Sequence, residues 1–126
     1  VIPQWYIDSH RFSFFRIVNK GNLNHIVYDK NNSTSKSILF EEGPDPRLIF
    51  SFFNDIDGGL PFWPSGALND SVVFNIIHGF ELKQHIARNG DFFQTIPSIK
   101  RNAIQDIISH TEINDNPILM MVNLKK

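Results

Sequence analysis

The chain has 126 residues, a formal net charge of -1 and no cysteine, and 41% of its residues are hydrophobic. This length suits one domain with a core of its own. The lack of cysteine excludes disulfides, thiolate zinc sites, iron–sulfur clusters and cysteine nucleophiles, and the near-neutral charge argues against nucleic acid as a partner.

Neither a membrane span nor a leader is visible in the sequence. No apolar run approaches the roughly 20 residues that cross a bilayer. The first residue is Val1 and not Met, so we expect this chain to be a piece of a longer polypeptide. Because of that start, the missing signal peptide says little about localisation.

The first half of the chain is predicted to form short strands. Aromatic residues make up 13% of the sequence, with 12 phenylalanines, and aromatic residues favour strands. Turn-forming residues interrupt the apolar runs at Lys20-Gly21-Asn22, in the polar cluster 29–35 and in the proline-containing segment 41–47. The runs between them predict strands at residues 1–7, 12–18, 23–28, 37–40 and 48–53.

A dense loop at residues 54–66, with the sequence N-D-I-D-G-G-L-P-F-W-P-S-G, follows these strands. Gly58-Gly59 allows positive φ, and the two prolines fix φ and remove backbone donors. Asn69-Asp70 then forms a tight turn before the strand predicted at residues 71–77, which has the highest β-branched content in the chain.

Helical spacing replaces the strand pattern after His78. Apolar positions predict a short helix at residues 80–88 that stops at Asn89-Gly90. A second helix is predicted at residues 99–109, with Ser98 as its cap. The Asn-Asp-Asn-Pro segment 114–117 breaks the chain, and residues 118–124 form a last strand.

The predicted fold is mainly β, a single domain spanning residues 1–126. Its antiparallel sheets are of propeller-blade type, and two short helices are inserted before the last strand. A looser division into residues 12–53 and 67–124 is also open. Propeller blades have about 40–50 residues, which fits the first of these units; the inserted helices lengthen the second.

Asp55 and Asp57 are the first candidates for chemistry. Their spaced carboxylates resemble ligands of a hard cation, but the order of an EF-hand fails, because it would place Phe53 and Pro64 at ligand positions. The same carboxylates would serve glycoside hydrolysis if they converged with others in a cleft. The commoner role of aspartates in this setting is the capping of a turn.

Trp63 and His78 are the other weak candidates for ligand binding. Trp63 lies on a loop stiffened by Pro61 and Pro64, where it would stack on a sugar or peptide or, more commonly for such a residue, pack between sheets. His78 ends an apolar strand, where a hydrogen-bonding role is the usual one. No zinc-binding H-E-x-x-H, nucleophile elbow, P-loop or dinucleotide motif is present, so no catalytic residue, cofactor or metal is predicted.

Three segments together resemble a known family. They are I-P-Q-W-Y-I at residues 2–7, N-D-I-D-G-G-L-P-F-W-P-S at 54–65 and D-N-P-I-L-M-M-V-N-L-K at 115–125. They are similar to the C-terminal part of a bacterial family of six-bladed β-propellers of NHL-like architecture. Many members of that family look like exported lipoproteins of gut anaerobes. The resemblance covers most of this chain but about the last third of a family member, and it supplies no catalytic residues.

The resemblance implies a C-terminal propeller fragment that acts as a non-enzymatic binding or scaffold module in the periplasm or at the cell surface. Its partner would be a protein or a glycan, and loop 54–66 would contribute to binding. Two alternatives stay open: a propeller-type hydrolase or lyase acting on glycans, and an α+β protein-interaction domain. Because one or two blades cannot close a ring, a homodimer through open sheet edges is also expected.

Overall fold

A computed structural model describes residues 2–38, 52, 54, 56–112 and 114–126. Seven strands and three helices are described in this part of the chain. In chain order they are β1 (Ile2–Asp8), β2 (Phe12–Asn19), β3 (Asn22–Asp29), β4 (Thr34–Ile38), β5 (Gly66–Asn69), β6 (Val72–Ile77), α1 (Gly79–Arg88), α2 (Gly90–Thr95), α3 (Ser98–His110) and β7 (Ile118–Asn123). The chain is therefore mainly β, with antiparallel sheets and three short helices.

The first sheet is an up-and-down arrangement of four strands in the order β1-β2-β3-β4. Consecutive strands pair antiparallel, and the β2–β3 turn uses positive φ at Lys20 and Gly21, as tight hairpin turns require. The predicted bounds of β1, β2 and β3 agree with the structure within one residue. β4 begins at Thr34, inside the predicted turn cluster, and the last two residues of the strand predicted at 37–40 lie outside the described residues. The run predicted at residues 48–53 and the loop predicted at 41–47 lie outside the described residues, apart from Phe52.

The second sheet has three described strands in the order β5-β6-β7. The strands predicted at 71–77 and 118–124 are confirmed as β6 and β7. β5 was not predicted, because its four residues carry no alternating apolar pattern. It forms because Asn69 closes the tight turn: the Asn69 side-chain oxygen accepts hydrogen bonds from the backbone N–H groups of Ser71 and Val72, at 2.8 and 2.9 Å.

The sequence predicted two helices, but the described part of the chain has three. Asn89-Gly90 does end α1, but the chain begins the six-residue α2 at Gly90. Phe93, which is 2% exposed, packs inward from α2. A six-residue helix is too short to show helical periodicity in the sequence. Its formation accompanies the burial of this one aromatic side chain, since short helices depend on tertiary packing.

The chain divides into two compact units that interleave in sequence. The first unit contains the described residues of Val1–Phe52, Trp63–Asn75 and Met121–Lys126. Its buried side chains include Ile7, Phe14, Trp63 and Val73. No helix among the described residues has the length and apolarity that crossing a membrane requires.

The second unit contains the described residues of Phe53–Phe62 and Ile76–Met120. Apolar side chains from its loop segment, strand end and helices fill its interior, and these are Leu60, Phe62, Ile77, Leu82, Phe93, Ile96 and Ile104. The loop that the sequence singled out therefore contributes residues to the interiors of both units.

Candidate functional site

Trp63 is buried in an aromatic cluster of the first unit, with 7% of its surface exposed. The His25 ring stacks on its indole at a centroid distance of 4.3 Å, and Phe52 stacks at 5.7 Å. Phe14 meets the indole edge-on at 5.8 Å, and Trp5 lies 6.2 Å away. The sequence left two roles open for Trp63, stacking on a ligand or packing in the interior, and this geometry is that of a packed core tryptophan.

A hydrogen bond between paired strands fixes His25 within this cluster. Arg16 on β2 lies opposite His25 on β3, and the Arg16 Nε–H donates to His25 Nε2 at 3.1 Å. Because a guanidinium has only donors, the accepting nitrogen carries a lone pair. His25 is 4% exposed, so this interaction takes the place of water for the buried ring.

The indole N–H of Trp63 is the exception in this cluster. It is buried and has no hydrogen-bond partner among the described residues. A buried donor left without an acceptor costs about 1–3 kcal/mol. The several ring contacts of Trp63 stabilise the packed position in spite of that cost.

Asp57 lies in the second unit and organises the turn that precedes Gly59. Its Oδ1 accepts hydrogen bonds from Asn54 Nδ2 at 2.7 Å and from the Gly59 backbone N–H at 2.9 Å. The Asn54 side-chain oxygen in turn accepts from the backbone N–H of Ile56 at 3.2 Å. Asp57 therefore has the turn-capping geometry that aspartates adopt in loops. Asp55 lies outside the described residues.

The double glycine lets this loop pack closely on two helices. Gly58 has a φ of +73°, and a Cβ there would lie 2.8 Å from Ile96 Cγ1 and 2.9 Å from Phe93 Cδ2. At Gly59, the nearest helix atom to a Cβ would be Leu82 Cδ1, at 3.7 Å. Residues 58–64 are all buried. Positive φ and lack of space both require glycine at position 58.

His85 on α1 is a further contact of this loop, one that the sequence analysis missed. Burial lowers the pKa of His85 below its usual 6.5, and a hydrogen bond with the Gly59 backbone opposes that shift. Asn89 Nδ2 lies 3.3 Å from His85 Nδ1. Only the fold brings Gly59 to this helix.

His78 is exposed and precedes α1 as its N-cap residue. Its backbone N–H donates to Glu81 Oε2 at 3.2 Å, which is one half of a capping box. Its ring stacks on Phe80 at a centroid distance of 5.7 Å. His78 thus ends β6 and begins α1, in line with the hydrogen-bonding role that the sequence favoured.

A polar network at one end of the first sheet was also missed. Arg11 donates two hydrogen bonds to Asp29, Nε to Oδ1 at 3.0 Å and Nη2 to Oδ2 at 2.8 Å. The hydrogen-bonded Arg11 guanidinium lowers the pKa of Asp29 from 3.8 to about 2. Next to this pair, Asp8 accepts from Lys30 Nζ at 2.7 Å and from Ser13 Oγ at 2.6 Å. Lys30 and then Ser13 lower the pKa of Asp8.

The network forms because the pairing of β2 with β3 brings its residues together. Arg11 precedes β2 and Asp29 ends β3, so strand pairing brings the two residues together across 18 positions. The Lys30 backbone N–H also donates to the Arg11 carbonyl at 2.9 Å. An ion pair between residues this far apart in sequence can be predicted only when the register of the hairpin is known.

The described candidate ligand-binding residues are divided between the two compact units. Trp63 belongs to the first unit, whereas Asp57 and His78 belong to the second. In the described part of the chain, no group of three or more histidine, aspartate or glutamate side chains is arranged to hold a metal ion. Each of the three described candidates has a structural partner: a ring stack, a turn or a helix cap.

Comparison with known proteins gives a family without an assigned activity. A family model described as "Domain of unknown function (DUF4933)" matches residues 8–88. No curated protein and no solved structure matches the chain. The matched range begins at the last residue of β1 and ends at the last residue of α1. Because this range is more than half of the sequence, the chain belongs to the family described as domain of unknown function DUF4933.

Proposed function

We propose that the chain is a non-enzymatic binding or scaffold module of an exported protein of NHL-like β-propeller type. The observation that carries the proposal is the first sheet, in which four consecutive antiparallel strands lie side by side in chain order. Four-stranded sheets of this kind are the repeating unit of propellers. The resemblance of the loop 54–65 and of the chain end to such a family is the second support.

The roles of the candidate residues favour binding or scaffolding over catalysis. Asp57 accepts hydrogen bonds within its own turn, and Trp63 is enclosed by aromatic rings. A catalytic acid or base needs access to substrate within hydrogen-bonding distance. Side chains already engaged in a turn and in a core meet that requirement poorly.

The proposed location is the periplasm or the cell surface, and the proposed ligand is a protein or a glycan. Both follow from the family resemblance. Location is testable by fractionating cells that produce the polypeptide carrying these 126 residues, with protease added to intact cells. We expect the protein in the periplasmic fraction or digested at the surface. Recovery in the cytosolic fraction alone would contradict export.

The enzymatic alternative is tested with a panel of glycans. The protein is incubated with each glycan; retardation in affinity gels reports binding, and new reducing ends report cleavage. We expect no cleavage product from any glycan, including those that are bound. Asp57→Asn is the matched variant, because the amide oxygen retains an acceptor for the Gly59 N–H.

One outcome overturns the non-enzymatic proposal. It is the release of reducing ends by the wild-type protein that Asp57→Asn abolishes while the melting temperature stays unchanged. That combination would place Asp57 in a catalytic role. A loss of stability without any product in either protein is the result expected of a turn-capping residue.

A further inference from the structure

His25 is an ionisable side chain in the interior of the first unit. It lies on β3, one of the two inner strands of the first sheet, and it is 4% exposed. A histidine in water has a pKa of about 6.5, so its charge changes in mildly acidic solution. Burial of such a group makes the structure around it sensitive to pH, because a charge in an apolar interior is costly.

Arg16 holds His25 in its neutral form. The Arg16 Nε–H donates to His25 Nε2 at 3.1 Å. A guanidinium has only donors and stays charged in proteins, so the nitrogen that accepts from it carries no proton. A proton added to Nε2 would remove this hydrogen bond and bring two positive charges together. The neutral state of His25 therefore follows from a direct contact as well as from burial.

The stack with Trp63 restricts the His25 ring. The two ring planes lie 22° apart at a centroid distance of 4.3 Å. Phe14 and Phe52 contact the same indole, at 5.8 and 5.7 Å. Because protein interiors are closely packed, the His25 ring has little room to turn away from Arg16 while these rings stay together. A protonated His25 therefore needs an opened cluster, in which water can hydrate the charge.

The other charged groups that the described strands place on this face of the first sheet do not offset a positive charge on His25. Lys36 on β4, which the register puts on the same face, is itself a cation. Asp29, four residues after His25, already accepts two hydrogen bonds from Arg11, at 3.0 and 2.8 Å. The described surroundings of the ring therefore favour its neutral form.

We propose that His25 is a pH-sensitive switch in the aromatic cluster of the first unit: neutral His25 keeps the cluster closed, and protonation of His25 opens it. The closed form binds fewer protons than the open form, in which His25 is hydrated. The stability of the closed form is therefore complete above a pH of about 6.5 and falls as the pH decreases below that value. The inference goes beyond the proposed function, because it concerns the folded state of the chain and not its ligand.

The protonation state of His25 is tested by nuclear magnetic resonance of the histidine ring protons. The 126-residue chain is titrated from neutral pH to about pH 5, the range in which a histidine in water changes its charge. The His25 resonance should stay that of a neutral ring at pH values at which the histidines of the urea-unfolded chain are protonated. A His25 that is protonated in the closed, folded chain at the same pH as in the unfolded chain would overturn the inference.

The effect on stability is tested with His25→Gln. Glutamine keeps an oxygen acceptor for the Arg16 Nε–H but cannot take up a proton. Urea denaturation measures the unfolding constant of both proteins at several pH values. The wild-type constant should rise by roughly tenfold more than that of the variant for each pH unit below about 6.5. Loss of the ring stack changes the stability of the variant at every pH, whereas only a titrating His25 changes the slope. Equal slopes would overturn the inference.

The matched control is His10→Gln, which makes the same chemical change at an exposed position of the same unit. Its acid response should equal that of the wild type. His85, whose pKa is lowered by burial, also contributes to stability in this pH range. It is present in every variant, so comparison of the variants cancels its contribution. An effect of His10→Gln as large as that of His25→Gln would contradict the assignment to His25.

Arg16→Gln tests the role of the guanidinium. It retains an N–H donor but removes the positive charge beside His25 Nε2, so protonation of the ring meets less opposition. The acid response should become weaker than in the wild type although His25 is still present. An unchanged acid response would show that Arg16 does not hold His25 neutral.

Opening of the cluster is measured by acrylamide quenching of Trp63 in a Trp5→Phe background, at a urea concentration just below the unfolding transition at neutral pH. Quenching should increase between neutral pH and about pH 5 when His25 is present. It should increase much less when His25→Gln is added. An increase of the same size in both proteins would contradict control of the cluster by His25.

Discussion

Trp63 shows how local sequence and packing compete in assigning a role to one residue. Its flanking residue Pro64 stiffens the loop, which suits a platform for a ligand. The same stiffness suits a core residue, because less backbone entropy is lost when the loop is ordered. The stacks on His25 and Phe52 decide in favour of packing. The indole N–H, which has no partner among the described residues, is a modest cost by comparison.

The role of Asp57 leads to a prediction about stability. Asp57→Ala removes the acceptor of hydrogen bonds from Asn54 Nδ2 and the Gly59 N–H. We expect the free energy of unfolding to fall by about 1–3 kcal/mol, since a partly buried donor loses its partner. Asp57→Asn keeps one oxygen acceptor and should lose less. Urea denaturation measures both; equal stability of Asp57→Ala and the wild type would contradict the capping role.

The Arg11–Asp29 pair leads to a prediction about acid stability. The pKa of Asp29 is lowered from 3.8 to about 2 in the folded chain, chiefly by its hydrogen bonds from Arg11. The unfolded chain therefore binds the proton at higher pH than the folded chain. The contribution of Asp29 to stability is complete above pH 3.8 and is lost as the pH falls through about 2.

Asp29→Asn tests this prediction, because it cannot ionise. The variant should be less stable than the wild type at neutral pH, and the difference between the two should shrink as the pH falls towards about 2. Comparison of the two proteins cancels the acid response of other carboxylates, including Asp8. A difference that stays constant over this pH range would show that the pair does not act through ionisation.

At the scale of elements, apolar runs and the turn residues between them predicted the strands of the first sheet. Runs that contain aromatic and β-branched residues mark β2 and β3, and Lys20-Gly21 marks their turn. β5 and α2 were missed for one physical reason. Each is too short for a periodic pattern, and each forms through tertiary contacts, a hairpin with β6 for β5 and the burial of Phe93 for α2.

The candidate site was predictable in part. The turn-capping role of aspartates in the loop and the packing role of Trp63 were both weighed from local sequence. The contact of His85 with Gly59 and the pairing of Arg11 with Asp29 were not foreseen. These contacts join residues that are far apart in sequence, and a single sequence carries no signal for them.

The close contact between Gly79 at the start of α1 and Thr111 just after α3 leads to a prediction about stability. A Cβ at Gly79 would overlap with the Thr111 Cγ2 methyl group. Both residues are buried, and Lys83 Nζ on the next turn of α1 donates to the Thr111 carbonyl. Gly79→Ala should therefore reduce the free energy of unfolding by about 1–3 kcal/mol through overpacking.

Two companion variants separate overpacking from a backbone effect. Gly90→Ala places a Cβ where nothing lies within 4 Å, so it should be neutral or slightly stabilising. Thr111→Ser removes the overlapping methyl group but keeps the hydroxyl that donates to the Ile107 carbonyl, so it should partly rescue Gly79→Ala. Thermal unfolding measures all of them; absence of rescue would contradict the steric explanation.

At the scale of the whole molecule, the chain builds two compact units, and the loop 54–66 passes from one to the other. Leu60 and Phe62 are buried in the second unit, and Trp63 and Pro64 in the first. The family match at residues 8–88 includes this entire loop. Residues 58–64, the centre of the most distinctive segment of the sequence, therefore form interior structure.

The fluorescence of Trp63 measures whether this segment is buried. The chain has two tryptophans, so Trp5→Phe leaves Trp63 as the only one and keeps an aromatic ring at position 5. We predict blue-shifted emission and weak quenching by acrylamide in the folded variant, because Trp63 is 7% exposed. Emission and quenching as in the urea-unfolded chain, while circular dichroism reports a folded protein, would contradict burial and place Trp63 at the surface as a ligand platform.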